Sequence, residues 1–435
     1  MLDRLFKLSD RETTVRTEFF AGLTTFIAMA YIVFVIPHML TDAGVPQEAS
    51  IAATILITAV STLFMGVLVN YPVALAPGLG LAAFFSYYVC GSLHLHWTVA
   101  LGAVFFSGIV FLILTCGGIM KAIIHAVPDT LKAAITVGIG LFIAFIGLKN
   151  AGVLQADPST FVALGDVTQP APVFAMFTLA LTVILMVRGV QGAILISIGV
   201  TTLLSMALGY SPIPHGISDI ISFDIPSVSG SFVQLDIAGA WDYGIISIIF
   251  TFTMVELFDN IGTLISLTRR ANMVQEDGEI PGLNKALTMN AFATIGSAFV
   301  GTSTVTTYLE SATGIEAGGR TGLTAVITAL GFLSLLLFAP LIALVPSYAT
   351  ASALILIGAL MISSVKDIDF SDLTDGVPAF LTIIMMPLTY SIASGFAFGF
   401  ISYVVLKLTT GRYKEVKPIM LVISLAFLIN LVMRS

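Results

Sequence analysis

Four polar side chains interrupt an apolar stretch in the second half of the chain. Glu256, Asp259, Asn260 and Thr263 stand at i, i+3, i+4 and i+7, a spacing that places all four on one face of an α-helix. A carboxylate at the centre of a bilayer costs on the order of 3 kcal/mol. We therefore expect this face to point towards a cavity or towards partners. The alternative is a structural stripe of hydrogen bonds between helices, which suits Glu256 better than Asp259.

A further acid, Glu310, follows a run of β-branched and polar residues at Thr302–Tyr308. Such a run favours an extended strand, and Glu310 stands where the strand should turn into a helix. A helix N-terminus offers free N–H groups and a partial positive charge, so a ligand can bind there beside the acid. Glu316 lies next to Arg320 along the chain and is typical of a paired or solvated charge.

Carboxyl groups in such a place suit a neutral heterocycle and a proton. An ionised carboxylate accepts hydrogen bonds from ring N–H groups, and a protonated one can donate. Burial favours the neutral acid, so the same group can carry a proton. Asp259 and Glu310 are thus candidates for substrate binding, and Asp259, Glu310 and Glu256 for proton coupling.

Other chemistries find less support in the sequence. No Lys or Arg falls clearly within an apolar span, although an anion carrier or a channel stays open as the alternative function. Gly78–Ala83 matches a dinucleotide-binding pattern, but no βαβ unit surrounds it. We expect no cofactor, no metal and no enzymatic activity, because nucleophile–base and metal-ligand constellations do not appear.

Composition indicates that lipid surrounds these residues. The 435 residues are 57% hydrophobic and 10% charged, with a mean hydropathy of +1.03, which is far from that of a soluble domain. A net charge of −7 argues against nucleic acid as a partner. Apolar runs predict fourteen membrane segments, seven on either side of a polar loop at Gly209–Ala240. A fifteenth piece, Ile419–Met433, is short for a span.

The predicted segments fall into two sets of seven. They are Phe19–Leu40, Ser50–Val69, Ala74–Cys90, Thr98–Cys116, Leu131–Leu148, Val173–Val187, Gly189–Leu208, Tyr243–Leu267, Ala286–Gly301, Thr302–Ile315, Thr321–Phe338, Ala349–Ile362, Val377–Ile392 and Ala393–Leu406. An odd number per set gives the sets opposite orientations, as in inverted repeats. Ala133 and Gly140 recur at the same offset as Ala351 and Gly358. The third and tenth segments are both expected to contain non-helical backbone, and basic loops predict a cytoplasmic N-terminus.

Several motifs carry a family resemblance. They are Gly22–Ile32, Ala76–Leu81, Leu257–Thr263 and Tyr308–Gly314, followed by Gly318–Gly322. These motifs, in this order, resemble the azaguanine-type purine permeases of the nucleobase–cation symporter superfamily. The resemblance covers nearly the whole chain.

The resemblance implies a uracil-permease-like fold and import of a purine nucleobase by proton symport. It implies an all-α polytopic protein of the cell membrane, with short strands in segments 3 and 10, core and gate domains, and a homodimer as a possible assembly. The boundaries expected are a cytoplasmic segment at 1–18, a first repeat at 19–208 (core spans 19–116, gate spans 131–208), an extracellular loop at 209–240, a second repeat at 241–410 (core spans 243–338, gate spans 349–406) and a C-terminal cytoplasmic or interfacial segment at 411–435.

The resemblance also implies site residues. Asp259 and Glu310 carry the family's base-binding acids, and further positions in or beside the motifs are expected near the base: Thr263, Leu309, Ser311, Thr25, Ala30, Leu81 and Ala82. Family members usually have Asn where this chain has Ala82. Because an amide both donates and accepts hydrogen bonds, its absence leaves open whether the base is adenine, guanine or hypoxanthine.

Overall fold

The computed structural model describes residues 2–118, 126–242, 246–275 and 279–434, which are mostly helical. The elements of the first half are α1 (Leu2–Phe6), α2 (Val15–Met29), α3 (Ile32–Asp42), α4 (Gln47–Phe64), β1 (Leu75–Pro77), α5 (Leu79–Ala83), α6 (Trp97–Cys116), α7 (Asp129–Asn150), β2 (Leu154–Asp157), β3 (Phe161–Leu164), α8 (Pro170–Val187) and α9 (Ala193–Ala207). The elements of the second half are α10 (Ile237–Asp242), α11 (Ile246–Arg270), α12 (Leu283–Val300), β4 (Val305–Thr307), α13 (Ser311–Glu316), α14 (Gly322–Ser334), α15 (Ala339–Ala343), α16 (Ser347–Met361), α17 (Leu373–Leu388), α18 (Ile392–Thr409) and α19 (Pro418–Arg434).

The polytopic helical fold predicted from the sequence is confirmed. Within the described residues, nine helices or helix pairs are long and apolar enough to cross a membrane. The remaining predicted segments correspond to α9, α12, α17 and the two strand–helix units. Tyr243, with which the eighth predicted span begins, lies outside the described residues.

Two short strands from distant parts of the chain pair with each other inside the helical bundle. β1 and β4 are antiparallel, and Ala76 lies opposite Thr306 at the centre of the register. Both strands are fully buried. The backbones approach closely at Gly78, where a Cβ atom would lie 2.8 Å from the Thr306 hydroxyl oxygen. The expectation of strand-like backbone in segments 3 and 10 is therefore correct.

Threonines from neighbouring helices complete the outer edges of this two-stranded sheet. Thr62 on α4 exchanges two hydrogen bonds of 2.9 Å with the backbone N–H and C=O of Leu75. On the other edge, the Val305 N–H donates to Thr294 Oγ1 on α12 at 3.2 Å. A buried backbone N–H without a partner is costly, so these hydroxyls allow an isolated pair of strands to exist at this depth.

Glycines permit a close crossing between α7 and α16. A Cβ atom on Gly140 of α7 would lie 2.9 Å from the Gly358 carbonyl oxygen, and one on Gly358 of α16 would lie 2.3 Å from the Gly140 carbonyl oxygen. The two residues matched by sequence offset thus face each other across one interface.

Some elements differ from the sequence-based expectations. The α10 helix lies at the end of the predicted polar loop, and the β2–β3 hairpin follows α7. α18 extends past the predicted end of the last span, so Lys407 lies inside it with only 1% of its side chain exposed. Its ammonium group pairs with Asp375 at 2.9 Å and Glu415 at 2.6 Å. The expectation that no Lys falls within a span is therefore wrong at this position, where paired acids compensate the buried charge.

The last helix, α19, is shorter than a typical span. Its 17 residues cover about 26 Å at 1.5 Å per residue. Phe427 packs against Phe250, Phe396 and Phe400, and Ser424 donates to the Phe400 carbonyl at 3.1 Å. α19 thus packs against α11 and α18 along one side.

Candidate functional site

The polar face of α11 divides into an anchoring part and an open part. Glu256 and Asn260 are fully buried, whereas Asp259 is exposed and Thr263 is half-buried. Asn260 Oδ1 accepts the Thr307 N–H at 2.7 Å, and its amide donates to the Glu256 carbonyl oxygen at 2.8 Å. Asn260 therefore holds β4 against α11, while Asp259 remains free to meet a ligand.

The two predicted binding acids lie beside the strands. Asp259 directly precedes Asn260, whose Oδ1 accepts the Thr307 N–H at the end of β4, and Glu310 follows the end of β4 by three residues. Glu310 precedes α13 directly and is half-buried. The Tyr31 hydroxyl, from the junction of α2 and α3, donates to Glu310 Oε1 at 2.5 Å. Residues from segments 1, 8 and 10 thus converge on one place.

The residues that flank Glu310 have different environments. Leu309 is 54% exposed, although it follows a buried strand. Ser311 is buried, and its hydroxyl accepts the Ala74 N–H at 3.0 Å, which ties the start of α13 to the residue before β1. Asp259 and Leu309 are thus accessible from outside the protein at a position where the strands themselves are fully buried.

The remaining predicted site residues lie in packed surroundings. Thr25 is buried against α13, where a Cβ atom on Gly314 would lie 2.0 Å from the Thr25 hydroxyl oxygen. Ala30, Leu81 and Ala82 are also buried. Thr25 Oγ1 has no hydrogen-bond partner in the described part of the chain.

Glu256 occupies a closed position one helical turn from Asp259. Its Oε1 accepts a hydrogen bond from the Thr294 hydroxyl at 2.5 Å. Thr294 Oγ1 also accepts the Val305 N–H at the edge of β4. Glu256 Oε2 is enclosed and has no hydrogen-bond partner among the residues that the structure describes. Because an ionised carboxylate with an unpaired buried oxygen is very costly, this position favours a neutral carboxyl group.

Tyr31, Thr306 and Thr294 were missed as functional residues in the sequence. Tyr31 stands inside the Gly22–Ile32 motif, so the motif was the available signal, but its partner lies 279 positions away. Among the described residues, no group of three or more His, Cys, Asp or Glu side chains could hold a metal ion.

Comparison with known proteins places the chain in a family. The family model Xan_ur_permease, described as a permease family, matches residues 16–398. The chain belongs to this permease family. The adenine permease AdeP of Escherichia coli is 43% identical over 99% of the chain and 96% of its own length. The guanine/hypoxanthine permease PbuO of Bacillus subtilis is 37% identical over 98% of the chain and 99% of its own length.

A solved structure shares the fold of this permease. The transmembrane domain of the cyanobacterial bicarbonate transporter BicA superposes with a TM-score of 0.64, covering 89% of this chain and 97% of that domain, at 16% identity. At this level of identity the likeness concerns the fold alone. The motif-based resemblance to a nucleobase permease is confirmed.

Proposed function

We propose that this permease imports a purine nucleobase together with a proton. The observation that carries the proposal is the placement of Asp259 and Glu310 beside the β1–β4 strands, with Asp259 exposed and Glu310 held by the Tyr31 hydroxyl. In this account the base lies between the two carboxyl groups, near the exposed Leu309. Thr263, Ser311, Thr25, Ala30, Leu81 and Ala82 form the surroundings.

The chemistry of the two acids supports a purine as the substrate. A purine presents adjacent N–H donors and ring acceptors, which match an ionised carboxylate and a protonated one respectively. The relatives named above are permeases for adenine and for guanine/hypoxanthine. Ala82 offers no polar group to the base, so discrimination between these purines depends on the acids and on backbone groups. Relatives of this kind do not favour the alternative of an anion carrier or a channel.

Proton coupling follows from the cost of placing two negative charges close together at this depth. Binding of a base is favoured when at least one of Asp259 and Glu310 is protonated, because like charges a few ångströms apart repel strongly. Glu256, in its enclosed position, is a third candidate for holding the proton. An inward-negative potential favours entry of the proton by about 2.3 kcal/mol per 100 mV.

We also propose that two inverted repeats, 19–208 and 241–410, rock a core against a gate. The equivalent roles of Thr62 and Thr294 at the two strand edges support it. The contact between Gly140 and Gly358, which stand at matching positions of the two repeats, also supports it. Core spans 19–116 and 243–338 then carry the acids, while gate spans 131–208 and 349–406 carry the glycine crossing.

The cytoplasmic placement of the N-terminus is part of the same proposal. Arg11 donates to the Arg320 carbonyl oxygen at 3.2 Å, and Arg270 pairs with Glu316 at 2.7 Å. These basic residues lie at one end of the molecule, as the preference of Lys and Arg for the cytoplasmic side requires. The homodimer stays a prediction.

Uptake of labelled base into cells that lack their own purine permeases tests the proposal. We expect saturable uptake that unlabelled adenine, guanine or hypoxanthine blocks and that sulfate and bicarbonate do not. Asp259→Asn and Glu310→Gln should abolish accumulation against a gradient at normal protein levels. Glu316→Gln, which alters an exposed acid six positions after Glu310, is the matched control. Normal accumulation by Asp259→Asn would remove the central acid from the mechanism.

A further inference from the structure

A second opening lies at the end of the molecule opposite the N-terminal segment. It is a cavity of about 390 Å³ between the end of α3, the helical stretch after α5, the end of α7 and the β2–β3 hairpin. This volume falls within the range of roughly 300–1,000 Å³ that is typical of small-molecule sites. The central acids do not line it, so it is separate from the site described above.

Aromatic rings form much of the wall. Tyr87 and Tyr390 meet edge to face, with ring centroids 6.4 Å apart, and the Lys149 ammonium group lies 5.2 Å from the centroid of Tyr390. Phe161, at the start of β3, is 85% exposed beside them. The exposed ring of Phe161 offers a face on which a planar ring can stack.

Two of these aromatic residues have unusual backbone conformations. Phe161 has φ of +65° and Tyr390 has φ of +55°, a region that bulky residues rarely adopt because it strains the backbone. Both side chains line the same cavity. The fold therefore accepts strain at two separate positions while presenting two rings to one space.

Polar groups at the wall are left without partners. Ser86 is only 2% exposed, and its hydroxyl has no hydrogen-bond partner in the described chain. The Tyr390 hydroxyl is likewise enclosed and unpaired. The Asp42 carboxylate accepts the Tyr87 hydroxyl at 2.8 Å and retains further acceptor capacity. A ligand with both N–H donors and ring acceptors would satisfy these groups. The negative charge of Asp42 would repel a simple anion.

One face of α3 connects this cavity with the central acids. Tyr31, which binds Glu310, is followed at helical spacing by Val35, Met39 and Asp42. Val35 and Met39 line a smaller cavity of about 160 Å³ that shares Asp42 and Tyr87 with the larger one. From Tyr31 to Asp42 the helix rises about 16 Å. The two cavities and the acids therefore follow one line through the molecule.

We propose that the larger cavity is a second binding site, which the transported purine base occupies between the outer solution and the Asp259–Glu310 site. This inference rests on the proposed function. The base stacks against the exposed ring of Phe161, with Tyr87 and Tyr390 along the wall, and its N–H groups donate to Asp42. The hydroxyls of Ser86 and Tyr390 complete its hydrogen bonds.

Protection of an introduced thiol tests the second site directly. The full chain, with Cys90 and Cys116 replaced by Ala and with Val162→Cys, which lines the cavity and leaves the Phe161 ring in place, is purified in detergent and reacted with a maleimide. Adenine, guanine and hypoxanthine are each added at increasing concentration. At about ten times the Kd of the base, modification should slow about tenfold, because occupancy reduces the free fraction by that factor. Leu164→Cys, on the same hairpin but outside the cavity, should show no protection.

The same measurement in a second background separates the two sites. Asp259→Asn with Glu310→Gln disables the central site, and protection at Val162→Cys should persist in this background. Adding Tyr390→Phe should raise the base concentration needed for half-protection about tenfold, as loss of one hydrogen bond implies, whereas Tyr210→Phe should not. If the unmodified protein binds base but Val162→Cys is never protected, or is protected only when the central acids are intact, the second site is refuted and the proposed function stands. If the unmodified protein binds no base, both fall.

Discussion

Removal of the Tyr31 hydroxyl is the sharpest perturbation of the central site that leaves both acids in place. Tyr31 is fully buried, and its hydroxyl donates to Glu310 at 2.5 Å. A hydrogen bond to a charged group contributes about 1.5–3 kcal/mol, and 1.4 kcal/mol is tenfold in affinity. If Tyr31 orients the carboxylate that binds the base, we expect Tyr31→Phe to raise the KM for base uptake by about tenfold or more.

The assay is initial-rate uptake of labelled base at several external concentrations, with protein levels measured in the same membranes. Tyr71→Phe is the matched control, because Tyr71 is also buried and its hydroxyl donates to the Pro281 carbonyl at 2.7 Å, away from the acids. Tyr71→Phe should lose about 1 kcal/mol of stability for one neutral hydrogen bond, and Tyr31→Phe about 1.5–3 kcal/mol for a bond to a charged group. An unchanged KM in Tyr31→Phe, or an equal rise in Tyr71→Phe, would refute a specific role for Tyr31.

Four further substitutions test the framework around the site. Glu18→Ala should lower the free energy of unfolding by about 3 kcal/mol or more, because its buried carboxylate accepts the backbone N–H groups at the start of α14; thermal unfolding in detergent measures this. Thr62→Val and Thr294→Val should each reduce base affinity severalfold by leaving a strand N–H unpaired, as equilibrium binding would show. The Arg412 guanidinium holds the pKa of Asp372 well below its usual range. Asp372→Asn should therefore lower Tm at pH 5–7. The difference in Tm between the variant and the unmodified protein should narrow below about pH 4, where Asp372 becomes protonated in the unfolded chain.

Each of these changes has a control and a contradicting result. Glu316→Ala removes an exposed ion pair, which is worth about 0–1 kcal/mol, so a loss equal to that of Glu18→Ala would contradict the role of burial. Thr288→Val alters an exposed hydroxyl bonded within its own helix and should leave base affinity unchanged. A Tm difference for Asp372→Asn that widens on acidification would contradict the ion pair as its cause.

Local sequence patterns predicted the elements that carry the site. The spacing of Glu256, Asp259, Asn260 and Thr263 placed them on one helix face, and they do lie on α11. The β-branched run before Glu310 predicted extended backbone, and β4 is there. These predictions succeed because helical period and strand propensity are local properties of the chain.

Contacts between distant segments were not predictable in the same way. The bonds of Tyr31 with Glu310 and of Thr62 with Leu75 depend on how helices pack, and a single tyrosine or threonine in an apolar span carries no sign of its partner. The division of the polar face into a buried anchor, Asn260, and an exposed acid, Asp259, also arises only when β4 packs against α11. Burial of Lys407 was missed because its compensating acids, Asp375 and Glu415, lie outside its own span.

The most direct test of the central claim is a cryo-electron microscopy structure of the full chain with a saturating purine bound. The account predicts density for a flat double ring beside the β1–β4 strands, within hydrogen-bonding distance of the carboxyl groups of both Asp259 and Glu310. Density for the base elsewhere only, or a base that contacts neither carboxyl group while transport is intact, would contradict it.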